Sequence, residues 1–486
     1  MKDAVHIGSR LELFVDDWLV DELRGAQRLL HHPTPQNAVL HFDRPWEGNV
    51  PGHFTVLREP DLFRMYYRGA GHVYGPDEHE AHERVVCIAE SPDGIEWTRP
   101  ILRLVEFEGS KDNNIILKGP GTDNFVPFKD GNPDSEPDAA YKAVAKGGAE
   151  RGLYIHKSAD GVNWSPMADG PVITDGAFDS QNLAFWDALR GEYREYHRDF
   201  RQGRDSRGNK NGRDIKTATT RDFLDWPDPV WLNYSPGRTS ELYTNQVNPY
   251  YRAPHIYLGF PTRYIDRGWT ESTKALPNLE YRRYRATRSE REGTAVTDGM
   301  LMSSRDGLNF DVWPESFIRP GLRTRENWLY GDNYQSLGLI ETRSAIEGAP
   351  DELSFFLTES TNLEDTSARS RRHTIRVDGF VSVYAGLNGG ELLTRPVIFD
   401  GDSLVLNFSS SAAGDIRVEL QDGNGHAIEG RGMEDCDEVW GDDLARTVSW
   451  EGDRDLSALA GQPVRLRLRL RDADLYSLRF VKGGSS

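Results

Sequence analysis

The sequence predicts an all-β protein, a five-bladed β-propeller over residues 1–385 followed by a C-terminal β-sandwich over residues 386–486. Three observations predict it: one turn signature recurs five times, three short β-favouring runs accompany each copy, and after about residue 386 the pattern changes to plain alternation. The signature reads Ser91-Pro-Asp-Gly-Ile-Glu-Trp97, Ser158-Ala-Asp-Gly-Val-Asn-Trp164, Thr220-Arg-Asp-Phe-Leu-Asp-Trp226, Ser304-Arg-Asp-Gly-Leu-Asn-Phe310 and, degenerately, Arg376-Val-Asp-Gly-Phe-Val-Ser382. Asp-Gly suits a tight turn between strands, the Ser or Thr hydroxyl and the Asp carboxylate can satisfy turn amides, and the aromatic ring packs the hairpin down. Repeats starting at 91, 158, 220, 304 and 376 are long enough for one four-stranded sheet each.

Each repeat resolves into an inner strand, a second strand and a third strand leading into the turn. The first blade supplies residues 53–57, 63–68 and 85–89, and the second 124–128, 141–145 and 153–156. The third supplies 181–186, 192–198 and 214–218. The fourth supplies 245–250, 255–260 and 299–302, with about forty residues inserted before its third strand, a length typical of a lid or binding loop. The fifth supplies 334–340, 353–358 and 373–376, and Leu11-Glu-Leu-Phe-Val15 remains as the strand expected to close the ring. Beyond residue 386, runs such as Val464-Arg-Leu-Arg-Leu-Arg-Leu470 alternate with period two, the pattern of a sandwich that is expected to brace the propeller, with a carbohydrate-binding module as the alternative.

Charge and cysteine usage exclude several classes. With 77 acidic against 58 basic residues the chain carries a net charge of −19, which repels nucleic acid and anionic membranes. Cys87 and Cys436 are the only cysteines, too few for a disulfide framework or a thiolate metal site. No apolar run is long enough to cross a membrane and the first residues lack a secretory signal, so the chain as written is expected in the cytoplasm, or secreted or periplasmic if a leader has been removed. His72, His79 and His82 share a Gly- and acid-rich segment that reads as a solvated loop, and no metal site is expected. Serine-hydrolase elbows, phosphate loops and zinc-protease motifs are absent.

A propeller gathers the starts of its inner strands around one funnel. Polar residues at or before those starts are Glu47 and His53; Asp123 and Asn124; Asp179, Gln181 and Asn182; Glu241, Tyr243 and Asn245; and Asp332 and Asn333. Every blade contributes a carboxylate, and crowded carboxylates drive at least one pKa toward the range of a general acid. Arg68, Arg198 and Arg263 end second strands, where they would fix those carboxylates or hold a charged sugar substituent. The fourth-blade insert carries a basic run of Arg263, Arg267, Lys274, Arg282, Arg283, Arg285, Arg288 and Arg291, either a salt-bridged surface or a contact for a uronate or sulfated sugar. Asp17 is a reserve candidate, as is Asp123. The Asp of each turn signature is read as structural.

Phe14-Val-Asp-Asp-Trp-Leu-Val20, Arg44-Pro-Trp-Glu-Gly48, Phe178-Asp-Ser-Gln-Asn-Leu-Ala-Phe-Trp-Asp187, Glu241-Leu-Tyr-Thr-Asn245, Tyr330-Gly-Asp-Asn333 and Asp472-Ala-Asp-Leu-Tyr-Ser477 resemble a bacterial family of glycosyl-hydrolase-like proteins. The plan is also similar to that of the invertase and arabinanase superfamily, in which a funnel carboxylate triad acts as nucleophile or base, acid, and pKa partner. The Trp-x-Asn-Asp-Pro, Arg-Asp-Pro and Glu-Cys motifs of invertases do not occur here, so roles rest on position. Asp179 is expected as base or nucleophile, Glu241 as acid, desolvated by Tyr243 and the insert, and Asp332 as the partner that separates their pKa values. The resemblance implies an exo-acting glycoside hydrolase with an oligo- or polysaccharide substrate and no obligatory cofactor, though a ring of oxygen ligands would accommodate a structural calcium. A non-catalytic carbohydrate-binding propeller, and a phosphorylase or lyase on the same fold, remain alternatives. Oligomeric state is not legible.

Overall fold

The computed structural model describes residues 4–74, 78–204, 210–235 and 240–483 and is nearly all β. It divides into two compact units, one of residues 33–250 and 254–374, the other of residues through His32, 251–253 and 375 onward.

The first unit holds five antiparallel sheets that follow one another along the chain. Gly52–Arg58, Phe63–Gly69, Val85–Ser91 and Ile115–Lys118 form the first. Asp123–Lys129, Tyr141–Lys146, Tyr154–Ser158 and Ser165–Pro166 form the second. Leu183–Asp187, Glu192–Arg204, Lys210–Thr220 and Val230–Trp231 form the third. The fourth contains Asn248–Tyr250, Ala253–Gly259, Met302–Ser304 and Asn309–Val312, with Asn233–Ser235 added in parallel at its edge. The fifth comprises Ile340–Thr342, Glu352–Glu359, Arg369–Arg376 and Thr34–His41. Its last strand therefore comes from ahead of the first sheet. The strand expected to complete this sheet, residues 11–15, lies elsewhere: Glu12–Leu13 pairs with Arg465–Val481 in the second unit.

Four copies of the turn signature are built alike. In the first, Ser91 Oγ accepts from Gly94 N at 2.8 Å, Asp93 Oδ1 accepts from Ile95 N and Glu96 N at 2.9 Å, and Trp97 Nε1 donates to the Gly94 carbonyl at 3.1 Å. Ser158, Asp160 and Trp164 repeat the arrangement. Ser304 and Asp306 reproduce its hydroxyl and carboxylate contacts, and Thr220, Asp222 and Trp226 keep a looser version. Ser or Thr and Asp are required because they accept from amides the strands cannot pair. The fifth copy differs: Asp378 is buried, belongs to the second unit and pairs with Arg252 at 2.9 Å. The reason is topological. Thr34–His41 already occupies the outer position beside Arg369–Arg376, so the chain leaves that sheet instead of turning back, and the signature degenerates.

The second unit takes in the N-terminal segment through His32 and begins its C-terminal part at residue 375, not 386. Eight strands hydrogen-bond together, with Ser403–Gln421 and Arg465–Val481 paired along most of their length. Leu466, Leu468 and Leu470 are fully buried while the intervening arginines point outward, and Arg467 meets Glu391 at 2.5 Å. Period-two alternation thus divides a core face from a charged face. Phe14, Val383, Phe408, Trp450 and Phe480 fill that core.

Candidate functional site

The inner strands of the first unit begin with strained residues. His53, Asn124, Gln246 and Asn333 have φ of 56°, 52°, 42° and 62°, a left-handed conformation that costs free energy in non-glycine residues and concentrates at binding sites. Register breaks follow at Gly52/Thr55 and Asp123/Val126. His53 and Asp179 line one cavity of about 240 Å³, which Arg68, Tyr243, Tyr330 and Thr361 also line. The fourth-sheet insert contributes Arg288, Arg291 and Glu292 to the same wall. It folds into a hairpin, Thr262–Asp266 with Ala295–Gly299, and three short helices between. Tyr284 Oη donates to the Tyr74 carbonyl and Tyr281 Oη to the Asn362 carbonyl, each at 2.5 Å, fixing the insert over the cavity.

The cavity is unusually cationic for so acidic a chain. Arg68 and Lys146 occupy equivalent places, each opposite the first residue of an inner strand: Gly52 with Arg68, Asp123 with Lys146. Lys146 Nζ lies 2.9 Å from Asp123 and 3.2 Å from Asp179. Arg84 pairs with Asp123 and with Glu80. The protein packed around Asp179 opposes its ionisation only weakly, because the side chain is 69% exposed into the cavity, and Lys146, Arg198 and Arg68 hold its carboxyl well below the usual carboxylate range. Asp123 is lowered in the same way, burial being outweighed by Arg68, Lys146 and Arg84. His53 is pushed far below the ordinary imidazole value, by burial first and then by Arg68, and its buried Nδ1 has no hydrogen-bond partner.

Asp332 is displaced in the opposite direction. Burial pushes its carboxyl up to about 8, even though Thr361 donates to Oδ1 from both N and Oγ1 at 3.1 Å. Oδ2 is buried without a partner. A neutral acid therefore stands directly behind the cavity wall, since Gly331 and Thr361 both line the cavity.

Several expected residues do other work. Glu241 accepts from Arg213 Nη1 at 2.6 Å and from its amide at 3.1 Å, beneath the Arg213–Tyr264 stack, and is not among the cavity-lining residues. Arg263 makes a two-pronged contact with Asp298 inside the insert hairpin, at 2.9 and 2.6 Å. Glu47 is fully buried with Arg99 and Tyr67. Gln181 donates to the Phe54 carbonyl and accepts from Gln246, while Asn182, Asn245 and Asn333 spend their amides on backbone groups. Asn124 bridges Arg68 and the Ser180 carbonyl. Asp17 is exposed and belongs to the second unit, because its segment pairs there. The carboxylate ring expected to hold calcium is not a ring. Asp123 and Asp179 share Lys146 while Glu47, Glu241 and Asp332 have partners of their own, and among the described residues no three His, Cys, Asp or Glu side chains converge on a metal-sized site.

Lys146, Arg84, Tyr330, Tyr334 and Thr361 were not anticipated. Lys146 had a signal: it ends a second strand just as Arg68 and Arg198 do. Arg84, Tyr330 and Thr361 reach the cavity from loops that strand periodicity does not register, and Tyr334 opens the segment expected as an inner strand at 334–340, of which only Ile340 enters one.

No family model and no curated protein matches the sequence. Among solved structures, the catalytic domain of the Coprinopsis cinerea GH62 α-L-arabinofuranosidase is similar at 9% identity, over 71% of this chain and 97% of that one, with a TM-score of 0.43. A thermostable family-43 glycoside hydrolase is similar at 14% identity, over 70% and 94%, with a TM-score of 0.42. An N-acetylgalactosamine deacetylase from F. plautii, solved with blood group B trisaccharide, is similar at 12% identity, over 74% and 96%, with a TM-score of 0.41. The chemistry of this chain rests on its own residues.

Proposed function

We propose that this chain is a carbohydrate-active enzyme of the glycoside-hydrolase type, its five sheets forming the blades of a propeller and its second unit a β-sandwich. One observation carries the reading: Asp179, which lines the cavity, and Asp332, buried behind the Gly331 and Thr361 that line it, have environments that push their pKa values apart. Such a division supplies an ionised base or nucleophile and a protonated acid at the same pH, which glycosidic cleavage requires. Asp179, facing the cavity, takes the first role. Asp332 is the proton store, and its route to the leaving-group oxygen is the Thr361 hydroxyl, which touches Asp332 Oδ1 and lines the cavity. In that relay the Thr361 hydroxyl, which at rest donates to Asp332 Oδ1, turns to donate its proton to the departing oxygen and accepts the proton of Asp332 in exchange. Glu241, held by Arg213, is a structural ion pair in this scheme.

A cavity of about 240 Å³ roofed by the insert suits the end of a saccharide, so the enzyme is exo-acting. The test is product release from a panel of neutral and acidic oligosaccharides by the wild type and Asp179→Asn. Cleavage of one substrate by the wild type alone supports the reading. Sugar binding without cleavage reduces the cavity to a lectin-like site. A second reading, β-elimination from a uronate, is favoured by the neutral His53 with its unpartnered Nδ1 beside Arg68; an unsaturated product would identify it.

A further inference from the structure

The cations around Asp179 outnumber their partners. Arg84 is compensated by Asp123 and Glu80, and Lys146 by Asp123 and Asp179. Arg68 and Arg198 have no carboxylate within ion-pair distance among the described residues. Arg68 is held by neutral acceptors only: Nε and Nη2 donate to the Val50 carbonyl at 3.3 and 3.1 Å, and Nη1 to Asn124 Oδ1 at 2.8 Å. These bonds fix the fork in the cavity wall and leave one N–H on each terminal nitrogen unused. Arg198 is 4% exposed, donates from Nε to the Ala177 carbonyl at 3.0 Å and lies 4.9 Å from the ring centre of Tyr243. Both feel Asp179, and Arg68 also Asp123, only at longer range, and holding a guanidinium in a half-buried wall, as Arg68 is held, without a contacting counter-ion is costly. An arginine pinned in place by neutral carbonyls, with donors left over, is the arrangement that recognises a carboxylate or phosphate.

We propose that the cavity selects a sugar bearing an oxyanion, the carboxylate of a uronic acid, which Arg68 binds with Arg198 supplying long-range charge. The proposal rests on the reading of the cavity as a saccharide site and names the class of sugar. A free phosphate would offer the same oxyanion chemistry, so the experiment carries an arm for it.

The test is equilibrium binding by calorimetry to the whole chain, using galacturonic and glucuronic acids, galactose, glucose and inorganic phosphate. Free monosaccharides have no glycosidic bond, so the outcome does not depend on turnover. The expected result is that one uronic acid binds at least about tenfold more tightly than its neutral counterpart, as one charge-assisted pair supplies, with phosphate weaker than the acid. Arg68→Gln should abolish the preference and Arg68→Lys restore part of it. Because Arg68 also ties Val50 and Asn124, both variants are checked by thermal melts. If neither folds, the wild-type preference and its decline with added salt decide. Equal binding of acid and neutral sugars overturns the proposal while leaving the saccharide site standing. Phosphate binding tighter than either acid also overturns it, by assigning Arg68 to a free anion. Failure of every sugar to bind removes the functional reading itself.

Discussion

Lys146 and Asp179 form a 3.2 Å ion pair that links the second strand of one sheet to the segment entering the inner strand of the next. The pair, with Arg198 and Arg68 behind it, keeps Asp179 ionised far into acid. Asp179→Asn should therefore lower kcat by at least about 10²–10⁴-fold on every substrate, activated or not, while monosaccharide binding survives. Comparable turnover in the variant would remove Asp179 from the mechanism.

Asp332 and Thr361 predict a leaving-group effect. An acid matters most when the departing oxygen is a poor leaving group, so Asp332→Asn and Thr361→Val should slow natural glycosides by about 10²-fold or more yet spare aryl glycosides with acidic phenols. Parallel rate measurements on the two substrate types check this. Equal losses on both would place Asp332 outside proton donation.

The same residue fixes a pH dependence with a definite sign. The folded-state value of Asp332, about 8, lies above the ordinary aspartate value of 3.8, so the native protein holds a proton the unfolded chain releases. Its contribution to stability is full below the unfolded value and is lost as pH rises through about 8. The loss is on the order of 5 kcal/mol. Turnover should decline over the alkaline side of the same range, and its acid limb should fall well below the usual carboxylate value because of Asp179. Asp332→Asn should flatten the fall in Tm between about pH 4 and 8. An unchanged Tm profile would show that Asp332 is ionised in the native state.

Much of the first unit was legible because its turns have a local cause. Asp93, Asp160, Asp222 and Asp306 each satisfy amides within three residues, and such contacts leave a signature in any window that contains them. Thr34–His41 pairs with residues more than 300 positions away, and nothing local marks it. The candidate site divides along the same line. Asp179, Arg68 and His53 stand at or just ahead of strand ends and line the cavity, whereas Glu241 stands at a strand start too and is claimed by Arg213, a partner that only the folded chain supplies. Charge at a strand start names candidates. Which of them stays unengaged is a property of packing.

That contrast is testable at Glu241. Removing its charge leaves Arg213 between the rings of Tyr243 and Tyr264 with a weakened counter-ion, and breaking a buried pair on one side costs about 3–5 kcal/mol. The partner here is only partly shielded, with Glu241 22% exposed, so about 1–2 kcal/mol is the appropriate figure once solvent screening is allowed for. Glu241→Gln should therefore lower Tm by several degrees and change kcat by less than about tenfold. Melting curves and turnover numbers taken on the same preparation separate the two effects. A loss of orders of magnitude in kcat at unchanged Tm would return Glu241 to the role of acid and displace Asp332 from it.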